Sequence, residues 1–252
     1  MKVIINPGHS TTDPGVMGPT GLYEHDAVTT VAQVLQEALH ERRIESEILV
    51  QPGGNPQWAL NHLMEQVNAR QSEVDIFISL HCAADKQREA YGTRVLYLED
   101  SEESKLLAEN IQKHFPRTLW SGVQPSQEYI LQQARFPAVV IEIDHITNPE
   151  VEMLMSLPAW QEKVADNIVN GIFDFIGPQD IRLFIDGQEI YSDPVPQLVY
   201  GDVMVPVRLL AEALGATVEW DSERRILSIY THRTSEEEEP SETPALSEAS
   251  QA

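Results

Sequence analysis

Two kinds of hydrophobic pattern alternate along the chain. Short apolar runs at Val3–Ile5, Ile48–Val50, Val74–Leu80, Thr93–Leu98 and Val139–Ile143 have the length and residue types of buried strands. Between them, apolar residues recur every three or four positions. In Asp26–His40 these are Val28, Val31, Val34, Leu35 and Leu39, the spacing of a helix with one buried face. Trp58–Arg70 and Ser101–Phe115 read the same way, the second opened by a serine cap and an acidic first turn. Ala159–Ile176 predicts a long last helix, stopped at Gly177–Pro178. Strands alternating with helices predict an α/β fold: a mostly parallel sheet with helices on both faces.

The style changes after residue 180. Ile181–Ile185 and Gln188–Ile190, joined by Asp186-Gly187, predict a tight hairpin. Pro206–Leu214 predicts a short helix with proline in its first turn and Gly215 as its stop. Thr217–Trp220 and Arg225–Tyr230 predict a second hairpin, so residues 180–230 should form a small α+β unit of ββαββ order. Residues 234–252 contain no aromatic residue and should remain a disordered acidic tail. The expected domains are therefore 1–177, 178–233 and 234–252.

At 252 residues the chain is long enough for one sizeable core and a small companion, with no need of covalent staples. Its single cysteine, Cys82, excludes an internal disulfide framework. The net charge is −23 and remains −17 when the six glutamates after Arg233 are set aside. So acidic a body argues against nucleic acid as a partner, since phosphate binding needs clustered Lys and Arg. It argues equally against docking on anionic lipid or wall polymer by charge alone. No run reaches the length of a membrane span. The apolar start is too short for a signal peptide and lacks a small-residue cleavage site. The expectation is a protein without a Sec export route, cytoplasmic until lysis or another form of release.

Three strand-like runs end in a polar side chain. Val3–Ile5 leads into Asn6-Pro7-Gly8-His9, Ile76–Ile78 into Ser79-Leu80-His81, and Ala138–Ile141 into Glu142. In an open α/β sheet, ligands bind beyond the carboxyl ends of the strands, so groups far apart in sequence can converge there. With Glu24, at the start of the first helix, these residues include three of the types that zinc prefers as ligands and one carboxylate able to act as a general base. Each also has a plainer reading. A loop histidine can be a surface residue, a strand-terminal histidine a satisfied core residue, and Glu24 a complement to the helix dipole.

The order of the motifs resembles the zinc-dependent N-acetylmuramoyl-L-alanine amidases of the amidase_3 family. The residues carrying the resemblance are Asn6-Pro7-Gly8-His9, Asp13-Pro14-Gly15, Gly21-Leu22-Tyr23-Glu24 and Phe77-Ile78-Ser79-Leu80-His81-Cys82-Ala83. Gly92-Thr93, Tyr129-Ile130-Leu131 and Pro137–Glu142 with Asn148 follow in the same order. The resemblance spans 1–177. It implies that His9, Glu24 and His81 bind Zn²⁺, that Glu142 is the catalytic carboxylate, and that the substrate is the lactyl–L-alanine amide of peptidoglycan. The chain departs from the family at Glu65 and Ala69-Arg70, at Asp144-His145, and at Cys82, which replaces a usual alanine. His145 stays open between proton donor, substrate contact and exposed residue, and Cys82 reads as a buried inert thiol. His25, His40, His62 and His114 read as solvent-facing or capping residues. Trp58, Trp160 and Trp220 read as core, with Trp120 in a loop.

Residues 181–230, above all Val205–Gly215 followed by Val218-Glu219-Trp220, resemble the copper amine oxidase N-terminal-like (stalk) domain. The segment contains no histidine or cysteine, so copper is not expected, and His232 lies just beyond it. Wall binding or binding of a protein partner is the expected role, with Arg208 on the helix surface beside a carboxylate. The alternatives to an amidase are a wall-binding or assembly protein without turnover, and a metallohydrolase acting on another amide such as an N-acetyl group.

Overall fold

The computed structural model describes residues 1–71, 73–86, 88–177, 183–191, 196–199 and 202–231. The expected disordered tail and His232 lie outside them. The chain divides into two compact units, Met1–Asp180 with Gln197–Val203, and Ile181–Pro196 with Met204–Ala252.

The first unit is built on strands β1 (Lys2–Pro7), β2 (Glu45–Ile48), β3 (Ile76–Ala83), β4 (Arg94–Leu98), β5 (Gly122–Ser126) and β6 (Ala138–His145), in the sheet order β2-β1-β3-β6-β4-β5. Helices α1 (Glu24–Glu41), α2 (Pro56–Ala69), α3 (Glu102–Gln112), α4 (Tyr129–Gln133), α5 (Pro149–Met155) and α6 (Pro158–Ile176) connect and cover them. Neighbouring strands run parallel except β4 and β6, which are antiparallel. The sheet is thus mixed, and mostly parallel as the sequence predicts.

Strict alternation along the strands sorts the core into two layers. Val3, Ile5, Ile78, Leu80, Val139 and Ile141 pack with residues of α1, α3 and α6. Ile4, Phe77, Leu96 and Val140 face the other way and pack with Leu63 and Val67 of α2 and Ile130 and Leu131 of α4. Burial of each such side chain is worth about 1.5–3 kcal/mol relative to exposure. On this second face the strands turn polar toward their carboxyl ends, at Asn6, Ser79, His81 and Glu142. Ser79 Oγ donates to Asn6 Oδ1 at 2.9 Å, and Asn6 Nδ2 donates to the Leu49 carbonyl at 2.8 Å. The satisfied Asn6–Ser79 pair is the floor on which the reactive rim stands.

Several expectations are corrected. The second strand is Glu45–Ile48 rather than Ile48–Val50. It is a polar edge strand, its Glu45 and Glu47 each 3.3 Å from Lys2 Nζ on β1. Strand β5 and helices α4 and α5 were not predicted. Gly122 and Pro125 break the hydrophobic run of β5, while α4 and α5 span only 5 and 7 residues. Trp58 is 53% exposed and stacks on His62, so it is not a core residue. His25 is buried, not solvent-facing, and so is His145, which removes the exposed reading. Trp160 does pack against the core.

In the second part of the chain, β7 (Leu183–Ile185) and β8 (Gln188–Ile190) form the expected hairpin. Its turn residues Asp186 and Gly187 have φ of 50° and 80°, the left-handed pair that a tight hairpin demands. Helix α7 (Val207–Ala213) follows Pro206, and β11 (Ala216–Asp221) pairs antiparallel with β12 (Ile226–Thr231). A further pair, β9 (Gln197–Val199) and β10 (Asp202–Met204), precedes α7 and extends the expected ββαββ order. Arg208 lies 3.6 Å from Glu212 and also donates to the Val218 carbonyl, tying α7 to β11. Trp220 is 52% exposed, against its expected place in a core, because β11 and β12 form a sheet of only two strands.

Candidate metal centre and catalytic cleft

His9 leaves the end of β1 with φ of 66°, a left-handed conformation uncommon for a residue with a Cβ. The loop is held there from two sides. Gly8 N–H donates to the Leu80 carbonyl at 2.8 Å. His25 Nδ1 meets the Gly8 carbonyl at 3.2 Å, and since a carbonyl only accepts, Nδ1 carries the proton. Gly8 has no room for a side chain: a Cβ would sit 2.3 Å from Cε1 of His81. At Gly15, with φ of 74°, a Cβ would come within 2.6 Å of Glu24 Oε2 and 2.7 Å of His9 Cδ2. Two glycines thus form a cradle closed tightly around His9, Glu24 and His81.

These three side chains converge, as the sequence suggests. Glu24 Oε2 is 3.2 Å from His9 Nε2, and Oε1 is 3.2 Å from His81 Nδ1. One ligand atom from each residue lies within 4.8 Å of the other two. Ligands about 2.0–2.2 Å from a tetrahedral cation are separated by roughly 3.3–3.6 Å. The two 3.2 Å contacts fall close to this, and donors no more than 4.8 Å apart would draw together around a single divalent ion. The carboxylate is oriented by backbone donors, Cys82 N–H on Oε1 at 2.9 Å and Val16 N–H on Oε2 at 3.1 Å. Such second-shell bonds fix ligand geometry. Burial alone pushes Glu24 up, but the bonds from His81, His9 and Cys82 N–H outweigh it and hold the carboxyl well below the usual range. Glu24 in turn raises His9 through their contact.

Glu142 adjoins this cluster through the register. It pairs with His81 across β3 and β6, and with Arg94 across β6 and β4. Its Oε2 lies 2.6 Å from Arg94 Nε. A cleft of about 230 Å³ opens over His9 and His81, lined also by Asn6, Asp13, Gln51, Glu128 and Tyr129. Burial and the nearby Glu142 raise the Glu128 carboxyl, while His81 draws it down; the net direction is up. Cys82 alternates to the opposite core layer, where burial pushes its thiol well above the ordinary range, in keeping with an inert residue. His145 Nδ1 is buried without a hydrogen-bond partner, 3.8 Å from Asp144 Oδ1.

Three site features escape the sequence reading. Arg94 and Glu128 carry no local motif. Glu152 of α5 is 1% exposed and accepts from Thr20 N–H at 2.7 Å and Leu22 N–H at 3.0 Å, pinning the loop that leads into Glu24.

Residues 3–174 match the family model described as N-acetylmuramoyl-L-alanine amidase, and residues 179–236 match the copper amine oxidase N-terminal domain. Among relatives, an uncharacterized protein of Bacillus subtilis strain 168, YqiI, is 30% identical over 181 residues, covering 68% of this chain and 82% of its own length. The germination-specific N-acetylmuramoyl-L-alanine amidase of the same organism is 26% identical over 189 residues, covering 69% of this chain and 78% of its own. The fold is that of the CwlD amidase from Clostridioides difficile, solved in complex with the GerS lipoprotein. That match has a TM-score of 0.61 and 23% identity, and covers 69% of this chain and 98% of the other. The Ami1 amidase of Mycobacterium smegmatis gives a TM-score of 0.60 at 21% identity, covering 70% and 97%. These relatives do not favour a binding protein without turnover or a hydrolase of some other amide. With its strand-end histidines, helix-start glutamate and mixed six-stranded sheet, the chain belongs to the N-acetylmuramoyl-L-alanine amidase family, hydrolases of the amide bond between the muramoyl group and L-alanine.

Proposed function

We propose that His9, Glu24 and His81 hold one zinc ion, and that Glu142 is the general base and acid that cleaves the lactyl–L-alanine amide of peptidoglycan. The observation carrying this reading is the meeting of three donor atoms within 4.8 Å, next to a carboxylate in register with one of them. Two neutral imidazoles and one carboxylate leave a divalent cation with net positive charge and an open position. Bound there, zinc would supply the Lewis acidity that polarises the scissile carbonyl and makes a water acidic enough to attack near neutral pH. Glu142 takes the proton from the attacking water. It then gives that proton to the nitrogen of L-alanine, which would otherwise leave as a poor anionic group. Glu24, accepting two backbone N–H bonds, keeps both imidazoles aimed at one point.

Residues 1–177 are the catalytic part in this reading, and 178–233 a module that binds wall or a protein partner. Metal analysis should find about one zinc per chain, and His81→Ala should lose it. Glu142→Ala should keep zinc but lose roughly 10²- to 10⁴-fold in cleavage, the usual worth of general acid–base catalysis. Digestion of purified sacculi should release ends bearing the free amino group of L-alanine. New reducing sugars or deacetylated glycan in their place would overturn the assignment, as would normal cleavage by Glu142→Ala.

A further inference from the structure

We propose that Arg94 is a positioning residue for the reaction: it clamps one oxygen of Glu142 so that the other is presented to the reacting amide. The proposal rests on the role of Glu142 given above and deepens it.

The argument begins with a row of residues across the sheet. His81 of β3 pairs with Glu142 of β6, Glu142 pairs with Arg94 of β4, and Arg94 pairs with Gly122 of β5. Partners directly opposite across neighbouring strands project to the same face. A metal-ligand candidate, a carboxylate, a guanidinium and a glycine therefore stand side by side at one rim. The antiparallel pairing of β4 makes this possible. Arg94 is the first residue of β4, yet it lies at the rim where β1, β3 and β6 end. A parallel strand would bring its last residue there instead.

The contact is close and shielded. Arg94 Nε and Glu142 Oε2 are 2.6 Å apart, both atoms are cut off from solvent, and neither makes an aligned hydrogen bond. The side chains themselves are 30% and 19% exposed, so the rest of each reaches solvent. Arginine stays charged at any pH the enzyme meets, and its planar head restricts the carboxylate more than an ammonium would. Gly122, next in the row, would meet nothing within 4 Å even if it carried a Cβ, so no side chain from β5 crowds that position. Glu128, on the wall of the cleft over His81, and Glu142 repel each other by like charge. A carboxylate so repelled, with rotatable bonds of its own, needs a fixed partner. Proton transfer requires an approach of about 2.6–3.2 Å, and a displacement of 1 Å can cost on the order of 10²-fold in rate.

The test compares Arg94→Ala, Arg94→Lys, Glu142→Gln and the two double variants, all zinc-loaded, on a purified muropeptide. Arg94→Ala should lower kcat about 10- to 100-fold, the range typical of outer-shell partners. KM should stay within about twofold, and zinc content should remain that of the parent. Arg94→Lys should recover part of the loss, and added guanidinium should restore the alanine variant in a saturable way. In the Glu142→Gln background, the Arg94 substitutions should have no further effect. A rise in KM at unchanged kcat would make Arg94 a substrate-binding group and overturn the proposal. So would unchanged kinetics, or an undiminished Arg94 effect in the Glu142→Gln background. If Arg94→Ala does not fold, Arg94→Lys and its double variant decide the same question. Full activity of Glu142→Gln by itself would instead refute the role of Glu142, a failure distinct from that of the clamp.

Discussion

At the scale of single residues, the site depends on side chains that are missing as much as on those present. Gly8 lies against the face of His81 with less space than one methyl group needs. Gly8→Ala is expected to cost about 1–3 kcal/mol by overpacking, read as a lower urea midpoint. It should also weaken zinc binding by at least about 10-fold, measured by competition with a chelator, because the ring it displaces is a proposed ligand. The convergence of His9, Glu24 and His81, with Glu142 beside them, was legible because each ends a hydrophobic run or opens a helix, and their order matches a family. Arg94 was not, because its meaning lies in which strand stands beside which, and neither was Glu128, which stands at the start of the unpredicted α4. His25 and Trp58 were misread for a related reason: local spacing tells where a side chain points, not how deep the neighbouring layer lies.

At the scale of elements, the loop between β1 and α1 is secured by a helix more than a hundred residues away. Glu152 of α5 receives the N–H groups of Thr20 and Leu22. Burial pushes its carboxyl up, but the bonds from Leu22 and Thr20 more than offset this and hold it below the usual range. The folded protein therefore favours the ionised form. Its stabilising effect is complete above the unfolded value, near pH 4.3, and disappears as pH falls through the depressed folded value. Glu152→Gln should lose about 1–3 kcal/mol in urea denaturation at neutral pH. It should also show a shallower decline in stability than the parent below about pH 4.3. The long elements were legible from periodicity alone, and α1, α3 and α6 fall within a few residues of expectation. The short ones, β5, α4 and α5, were not, since a turn or two of helix offers too few positions for a period to emerge.

At the scale of the whole molecule, the three proposed ligands come from β1, α1 and β3, so the metal site exists only when those parts are assembled. Zinc should bind the native state far better than the unfolded chain. Thermal unfolding should then shift upward with zinc concentration, by about 2.7 kcal/mol at one hundred times Kd. The shift should fade as pH drops, because protons compete for the same imidazoles and carboxylate. A chelator-treated sample with an unchanged Tm would argue against a site that spans these elements. The reversed direction of β4 has one more consequence. Strand β3 leaves the sheet at the rim of the cleft and β4 enters at that same rim, so the chain joining Ala83 to Arg94 never has to cross the protein. That connector is anchored by Asp85 N–H on Thr147 Oγ1, Asn148 Nδ2 on the Ala90 carbonyl and Gly92 N–H on Asp144 Oδ1. Between these anchors it can change length or composition without rethreading the core, so the rim beside the chemistry can diverge at little cost to the fold.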